Sequence, residues 1–195
     1  MALDVERNAV LVIIDLQKGL DDPSCGRRDN PACEDNISEL VGAWRRSGRP
    51  LVLVRHDDAQ ADSPLAPGRP GNAFNDGLVA ALGDREPDLL VAKSVSSAFH
   101  GQPDLHGWLQ QRGILQLVLC GVQTNRCCET TARVAGSLGY DMLFALDATH
   151  TFDDTGPDGR LIAAEDFARS TAANLDPSFG RVVSTADLLS GVSAS

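Results

Sequence analysis

The chain has 195 residues, 43% of them hydrophobic, enough for one core that buries roughly 70% of the surface the unfolded chain exposes. With 17 Lys plus Arg against 27 Asp plus Glu, the formal net charge is −10, which argues against nucleic acid as a partner because that binding leans on clustered basic residues. Five cysteines form an odd set without disulfide spacing, Asp4 and Glu6 stand where a signal peptide carries positive charge, and the apolar run 9–14 is far shorter than a membrane span of ~20 residues. These features predict one domain over 1–195, cytoplasmic, with no membrane partner.

Along the chain, short apolar runs alternate with helical segments. Residues 9–14, AVLVII, form a β-branched run of strand length that ends at Asp15, the pattern of a strand covered on both faces. The runs 51–54, 89–92, 117–120, 142–145 and 181–183 repeat it. Between them, helical periodicity predicts helices over 34–47, 73–82, 104–112, 125–138, 160–173 and 185–189. Alternation without hairpin turn signals implies parallel pairing through right-handed crossovers. The expected fold is α/β: a Rossmann-like three-layer α/β/α sandwich around a six-stranded parallel sheet. Segment 56–71, with three prolines and two glycines, is too irregular for a standard connection and reads as a rim or lid loop, a subunit contact or a tolerated insertion. With a second polar connector over 153–159, it belongs near the carboxyl ends of the strands, where open parallel sheets bind ligands.

Three reactive side chains fall at those ends. Asp15 closes the first strand, Lys93 closes the third, and Cys127 follows the fourth after the turn 121–126. A carboxylate after an apolar strand is also an ordinary solvated cap, and a lone lysine says less still. Cys127 is more informative: Thr124 or Asn125 can cap a helix starting there and place the sulfur in its first turn. A helix N-terminus carries roughly half a positive charge and lowers a thiol pKa below its model value of about 8.5. Cys128 points about 100° away from Cys127 on the same helix and reads as packing, as does Cys120 at the end of a buried strand. Cys25 and Cys33 lie among loop residues without assigned chemistry. No glycine-rich nucleotide fingerprint follows a strand, so no cofactor is expected.

The segments VIIDLQ (12–17), AKSVSSAF (92–99), GVQTNRCC (121–128) with TAR (131–133), GY (139–140) and DAT (147–149) resemble, in order and spacing, the isochorismatase-like cysteine hydrolases. The resemblance runs from about residue 8 to 189. It implies a six-stranded parallel sheet between helices, in agreement with the strand count, and a homo-oligomer, dimer or tetramer. It further implies a catalytic Cys127, Asp15 and Lys93. Asp15 would take the thiol proton while Lys93 supports the thiolate, and an oxyanion hole would be made by the backbone N–H groups of Gln123 and Cys127 after a cis Val122–Gln123 bond. Nicotinamidases of this family hold a metal through Asp-x-His and a further His after the second strand. Here Arg55-His56-Asp57-Asp58 has one His and the next is His100, so no metal is expected and nicotinamidase activity is disfavoured.

Gln17, His56, Phe74, Phe99 and Phe152 stand in or beside strand-end loops and are candidate contacts to a small-molecule substrate, with core or second-layer roles open for each. His100 reads as a pocket-rim group, and His106 and His150 as exposed or structural. The expected activity is hydrolysis of a C–N bond, amide or lactam, through a thioester. Pro67-Gly68, Ser97-Ala98-Phe99 and the tail 152–159 look most like the streptothricin hydrolase type. Two alternatives remain at this level: a vinyl ether hydrolase of the isochorismatase kind, working by acid catalysis, and a catalytically silent binding member of the fold.

Overall fold

The structure, a computed structural model, describes residues 3–194. Six parallel strands form one sheet: β1 (Val10–Ile14), β2 (Leu51–His56), β3 (Leu89–Lys93), β4 (Gln116–Val122), β5 (Asp141–His150) and β8 (Arg181–Val183), in the order β3-β2-β1-β4-β5-β8. Helices α1 (Cys33–Ser47), α2 (Asp76–Leu82), α3 (Leu105–Gln111), α4 (Glu129–Ser137), α5 (Ala164–Leu175) and α6 (Thr185–Ala194) connect and cover them. The expected sandwich is present. Every residue of β1 is buried, because β1 lies between β2 and β4 and is covered on both faces. Its Leu11 and Ile13 belong to a core shared with α1, while Val10, Val12 and Ile14 face a second core with α3 and α4.

Local chemistry sets the helix ends. α1 carries Glu34 and Asp35 in its first turn and Arg45 and Arg46 in its last, complementing the helix dipole, and stops at Gly48, whose φ of +69° admits a left-handed cap. Trp44 is fully buried and donates its indole N–H to the Ala9 carbonyl at 3.0 Å, stapling α1 to the start of β1. Truncating such a residue to alanine costs about 3–5 kcal/mol. Cys33, expected in a loop, is instead the first residue of α1 and packs in its core. Among the described residues, no helix is long and apolar enough to cross a membrane.

Two expectations are corrected. The chain contains a hairpin: β6 (Asp154–Thr155) and β7 (Leu161–Ile162) pair antiparallel around the turn Gly156-Pro157-Asp158-Gly159, so α5 starts at Ala164 rather than 160. Proline, aspartate and two glycines are turn formers, and they outweigh the helical periodicity read through them. Strand β5 also outruns its apolar stretch by five residues. Its pairing with β4 jumps from Leu119↔Phe144 to Gly121↔Thr149, and the extra residues bulge. Asn30 and Asn36 hold the bulge through the Asp147 carbonyl at 2.8 and 2.6 Å, so side-chain amides replace the apolar signal. At the same level Gly121 adopts φ +122°, and a Cβ there would lie 2.1 Å from the Ile14 carbonyl oxygen. Only glycine lets β4 pass β1 this closely.

His150, the last residue of β5, is 1% exposed, meets Phe152 edge-on at 5.2 Å, and places Nε2 3.8 Å from Glu34, a carboxylate already held by Arg28 at 2.7 Å. Among the described residues neither ring nitrogen has a hydrogen-bond partner. Burial, reinforced by the Arg28 charge, lowers the imidazole pKa from 6.5 to about 4. A histidine held neutral in the fold contributes stability that is complete above the unfolded-state pKa and is lost as pH falls toward the folded one. Between pH 6.5 and 4 the wild-type chain loses a few kcal/mol from this group, at about 1.4 kcal/mol per pKa unit. His150→Leu flattens that part of the profile, as urea unfolding at successive pH values will show. A Gly121→Ala chain, by contrast, is destabilised by more than about 3 kcal/mol at every pH.

Candidate functional site

The strand order places four side chains in a row across the carboxyl ends of the sheet. Lys93 ends β3, His56 ends β2 and is its register partner, Asp15 follows β1, and Cys127 follows β4. The turn after β1 is sharp: Asp15 has φ +50°, a left-handed conformation that aspartate tolerates better than most residues, while its N–H still donates to Val54 of β2 at 2.9 Å. Beyond Lys93, Ala92 and Gln102 exchange two backbone hydrogen bonds of 2.8 Å, and Ala98 N–H donates to the Thr131 hydroxyl at 3.1 Å. The loop is thus strapped to β3 and α4, which holds the lysine stem in place.

Cys127 lies in a π-helical turn, Thr124–Cys128, that runs into α4. The Gln123 carbonyl accepts from both Arg126 N–H (3.1 Å) and Cys128 N–H (3.2 Å). Neither Thr124 nor Asn125 caps the turn through its side chain, contrary to expectation. The Thr124 hydroxyl instead bonds Thr149 at 2.8 Å, and Asn125 accepts from the Thr151 hydroxyl at 2.5 Å, because the bulged end of β5 offers closer partners than the local backbone. The Val122–Gln123 bond is cis, as the family pattern implied. Cys128 and Cys120 are buried in the two cores.

Lys93 Nζ is the hub. It lies 2.6 Å from Asp15 Oδ2, 3.1 Å from His56 Nδ1 and 3.4 Å from Cys127 Sγ. Asp15 and Lys93 are 2% and 3% exposed, and the second carboxylate oxygen, Asp15 Oδ1, is buried without a hydrogen-bond partner among the described residues. An ammonium can only donate, so His56 Nδ1 accepts and the ring proton sits on Nε2. Burial and the adjacent ammonium hold His56 below its usual pKa.

Burial also raises the Asp15 carboxyl above its ordinary range, opposed by the Lys93 charge and by the neighbouring thiol. Cys127 is pushed up to about 12, first by burial and then by the Asp15 charge, with Lys93 opposing. The helix terminus had suggested a lowered value; a buried sulfur beside a carboxylate reverses it. Transfer of the thiol proton to Asp15 would leave the total charge of the pair unchanged, whereas its loss to water would add a buried negative charge.

The donor atoms of Asp15, His56 and Cys127 lie within 4.8 Å of one another, a spacing compatible with a metal ion. The Lys93 ammonium contacts all three, so the position a cation would take is filled by a protein cation. The donor set does not fit a resident metal.

A cavity of about 240 Å³ opens over Cys127, lined by Asp15, Leu20, His56, Leu65, Ser96, Val122, Gln123 and Arg126. A second, of about 210 Å³, shares Gln123 and Arg126 and adds Cys25, Asn125, Phe152, Asp153 and Asp154. Of the five expected substrate contacts, His56 lines the first cavity and Phe152 the second. Gln17 does neither: its amide donates to the His56 and Asn72 carbonyls and accepts from His56 N–H at 2.8 Å, pinning the end of β2. Phe74 packs on the core beside α1, and Phe99 stacks on Tyr140 at 5.9 Å. His100 is exposed and outside both linings. The proline-rich segment supplies a wall: Leu65 faces the cavity, its carbonyl accepts from Asn72 at 2.7 Å, and Gly71 abuts Gly19 so closely that a Cβ would lie 3.0 Å from it. Arg126, Leu20, Leu65, Ser96 and Val122 were not anticipated. Arg126 left one signal, a lone cation in an otherwise neutral turn before the cysteine.

Comparison with known proteins agrees with this geometry. Residues 9–187 match the family described as Isochorismatase domain. The chain is 29% identical over 185 residues to the uncharacterized isochorismatase family protein YrdC of Bacillus subtilis, covering 95% of this chain and 96% of that one. It is 33% identical over 132 residues to nicotinamidase 3 of Arabidopsis thaliana, covering 62% and 65%. A crystal structure of a putative hydrolase of the isochorismatase family from Chromobacterium violaceum superposes with a TM-score of 0.92 at 36% identity, covering 100% of this chain and 99% of that one. With the fold and nearly the whole length accounted for, this chain belongs to the isochorismatase family of hydrolases.

Proposed function

We propose that the chain is a cysteine-dependent amidohydrolase that cleaves the C–N bond of a small-molecule amide or lactam through a thioester on Cys127. The observation that carries this reading is the Lys93 ammonium, buried and bonded at once to Asp15 (2.6 Å) and Cys127 (3.4 Å), beside a carboxylate oxygen without a hydrogen-bond partner among the described residues. A relative named a nicotinamidase supports amide cleavage in the family, although the metal-binding pattern of that class is missing around His56.

In the proposed cycle Cys127 passes its proton to Asp15, and Lys93 remains charged and holds both partners. The thiolate attacks the amide carbon, and the oxyanion that forms accepts from the backbone N–H groups of Cys127 and Gln123. As the tetrahedral adduct collapses, Asp15 gives its proton to the departing nitrogen, the C–N bond breaks and an amine leaves. Asp15, again a carboxylate, takes a proton from water, whose oxygen attacks the thioester. Collapse expels the thiolate and releases a carboxylic acid, and the proton on Asp15 returns to sulfur. The sum is amide plus water giving acid plus amine. His56, neutral and occupied by Lys93, orients the ammonium and takes no proton. A cytosolic setting suits a chain whose nucleophile must stay reduced and whose five cysteines are all free.

The raised Asp15 pKa also suits a proton donor, which favours a second reading, vinyl ether hydrolysis by Asp15 with Cys127 idle. Intact-protein mass spectrometry with a panel of amides and lactams decides between them. An acyl adduct on Cys127, absent in Cys127→Ala together with turnover, is the expected result; undiminished turnover in Cys127→Ala overturns it. Asp15→Asn separates base from environment. It removes the negative neighbour, so the Cys127 alkylation midpoint falls below about 12, while amide turnover drops about 10²–10⁴-fold. A midpoint that stays put or rises would show that the Asp15 charge does not act on the thiol. The measurement is made on folded protein verified by circular dichroism, because the variant leaves Lys93 uncompensated.

A further inference from the structure

Arg126 stands between two cavities and is engaged by neither the sheet nor the reacting groups. It lines the space over Cys127 and the adjoining space next to Phe152, and the two share Gln123 as their other common wall. Its guanidinium is paired with Asp154 of β6 at 2.5 Å, with the two side chains 56% and 49% exposed. An exposed pair of this kind contributes little, since water and salt compete for both partners.

The surrounding charges are committed elsewhere. Lys93 is spent on Asp15, and Asp153 is held in a two-pronged contact by Arg27 at 2.8 and 2.7 Å. Arg126 is therefore the cation at the cavity mouth that a ligand can capture by exchange. In a chain of net charge −10 the general field repels anions, so a local guanidinium is what would admit one. The planar fork of arginine matches a carboxylate in geometry, and the Asp154 carboxylate that a ligand carboxylate would displace is half exposed and passes to water.

We infer, on the basis of the amidohydrolase reading above, that the substrate is a small amide bearing a carboxylate, which Arg126 binds by releasing Asp154. The reacting carbon then lies over Cys127, and the charged end extends toward the second cavity. Asp154, in a two-residue strand beside a glycine-rich turn, is the partner that yields.

The test uses a matched pair of thiol reagents, iodoacetate and iodoacetamide, which differ only in carrying a carboxylate or a neutral amide. In both, sulfur displaces iodide and forms a thioether. Rates are read at Cys127 by peptide mass spectrometry, because Cys25 also lines a cavity, and the iodoacetate-to-iodoacetamide ratio is normalised to that of a small thiol. Wild type is expected to show a normalised ratio about tenfold above that of Arg126→Gln, equivalent to roughly 1.4 kcal/mol. Asp154→Asn raises the ratio further, and 0.5 M salt lowers it toward that of Arg126→Gln. A ratio that Arg126→Gln leaves unchanged overturns the inference, even if Asp154→Asn raises it, because repulsion by Asp154 alone would do that. A rise in Arg126→Gln overturns it as well. The reading it rests on fails separately: no acyl adduct on Cys127 from N-acetylglycine, or from its neutral methylamide, would count against the amidohydrolase while the reagent ratio stood.

Discussion

The buried ion pair between Lys93 and Asp15 is the constraint that the rest of the site answers to. Two charges taken out of water cost several kcal/mol each before their attraction is counted, and replacing such a pair by apolar side chains often leaves a fold no less stable. The pair therefore contributes little to net stability, yet neither member can be removed alone without stranding its partner. Its geometry is enforced from three directions: the left-handed turn at Asp15, the backbone exchange between Ala92 and Gln102, and the hydrogen bond from Lys93 to His56. An arrangement so costly and so over-determined is what the proposed reaction would need, because the charge that supports a thiolate must already be in place when the proton leaves sulfur.

Strand order does the positioning. In the sequence β3-β2-β1-β4 the neighbours are not consecutive in the chain at β1 and β4, and this reversal opens the crevice at the carboxyl ends where parallel α/β sheets bind ligands. Lys93, His56, Asp15 and the turn carrying Cys127 fall one per strand across that crevice. Lys93 must span the end of β2 to reach Asp15, and a long flexible stem with a compact ammonium can do so. Gly121 completes the layout, since any side chain there would strike Ile14 and push the cysteine turn away from β1.

How much of this was legible in the residues differs by element. Strands β1, β2 and β4 announced themselves through continuous apolar runs because they are covered on both faces, the edge strand β3 did so through a short run in which Leu90 is exposed, and Asp15, Lys93 and Cys127 were found as reactive groups placed at or after the ends of those runs. The end of β5 was hidden: Asp147, Thr149 and His150 are polar, and their strand pairing is supported by amides at Asn30 and Asn36, more than a hundred residues away. Gln17 was left open between a substrate contact and a supporting role for a related reason. A glutamine two residues beyond a candidate base resembles a substrate contact, but its three hydrogen bonds to the His56 and Asn72 backbone are settled by a loop whose path no local pattern encodes. Phe74 and Phe99 were aromatic enough to suit a pocket and equally suited to the cores they fill. Arg126 is the converse case, a residue whose meaning depends on which cavities meet at its position.

The thiol itself shows why local rules do not compose simply. A helix-terminal cysteine next to a lysine is expected to ionise easily, and here the same sulfur is buried and faces a carboxylate, which together outweigh both effects. In the proposed cycle one proton is exchanged between sulfur and carboxylate oxygen, and the exchange leaves the net charge of the pair unchanged. In the proposed reaction, a substrate that excludes water and presents a carbonyl to the sulfur would draw the pair toward thiolate and acid, the combination that would attack and then protonate the leaving group. An unpaired, low-pKa thiolate would attack as readily but would leave no acid to release the amine. On the proposed mechanism, burying Cys127 beside Asp15 thus trades resting reactivity for a proton held where release of the amine would require it.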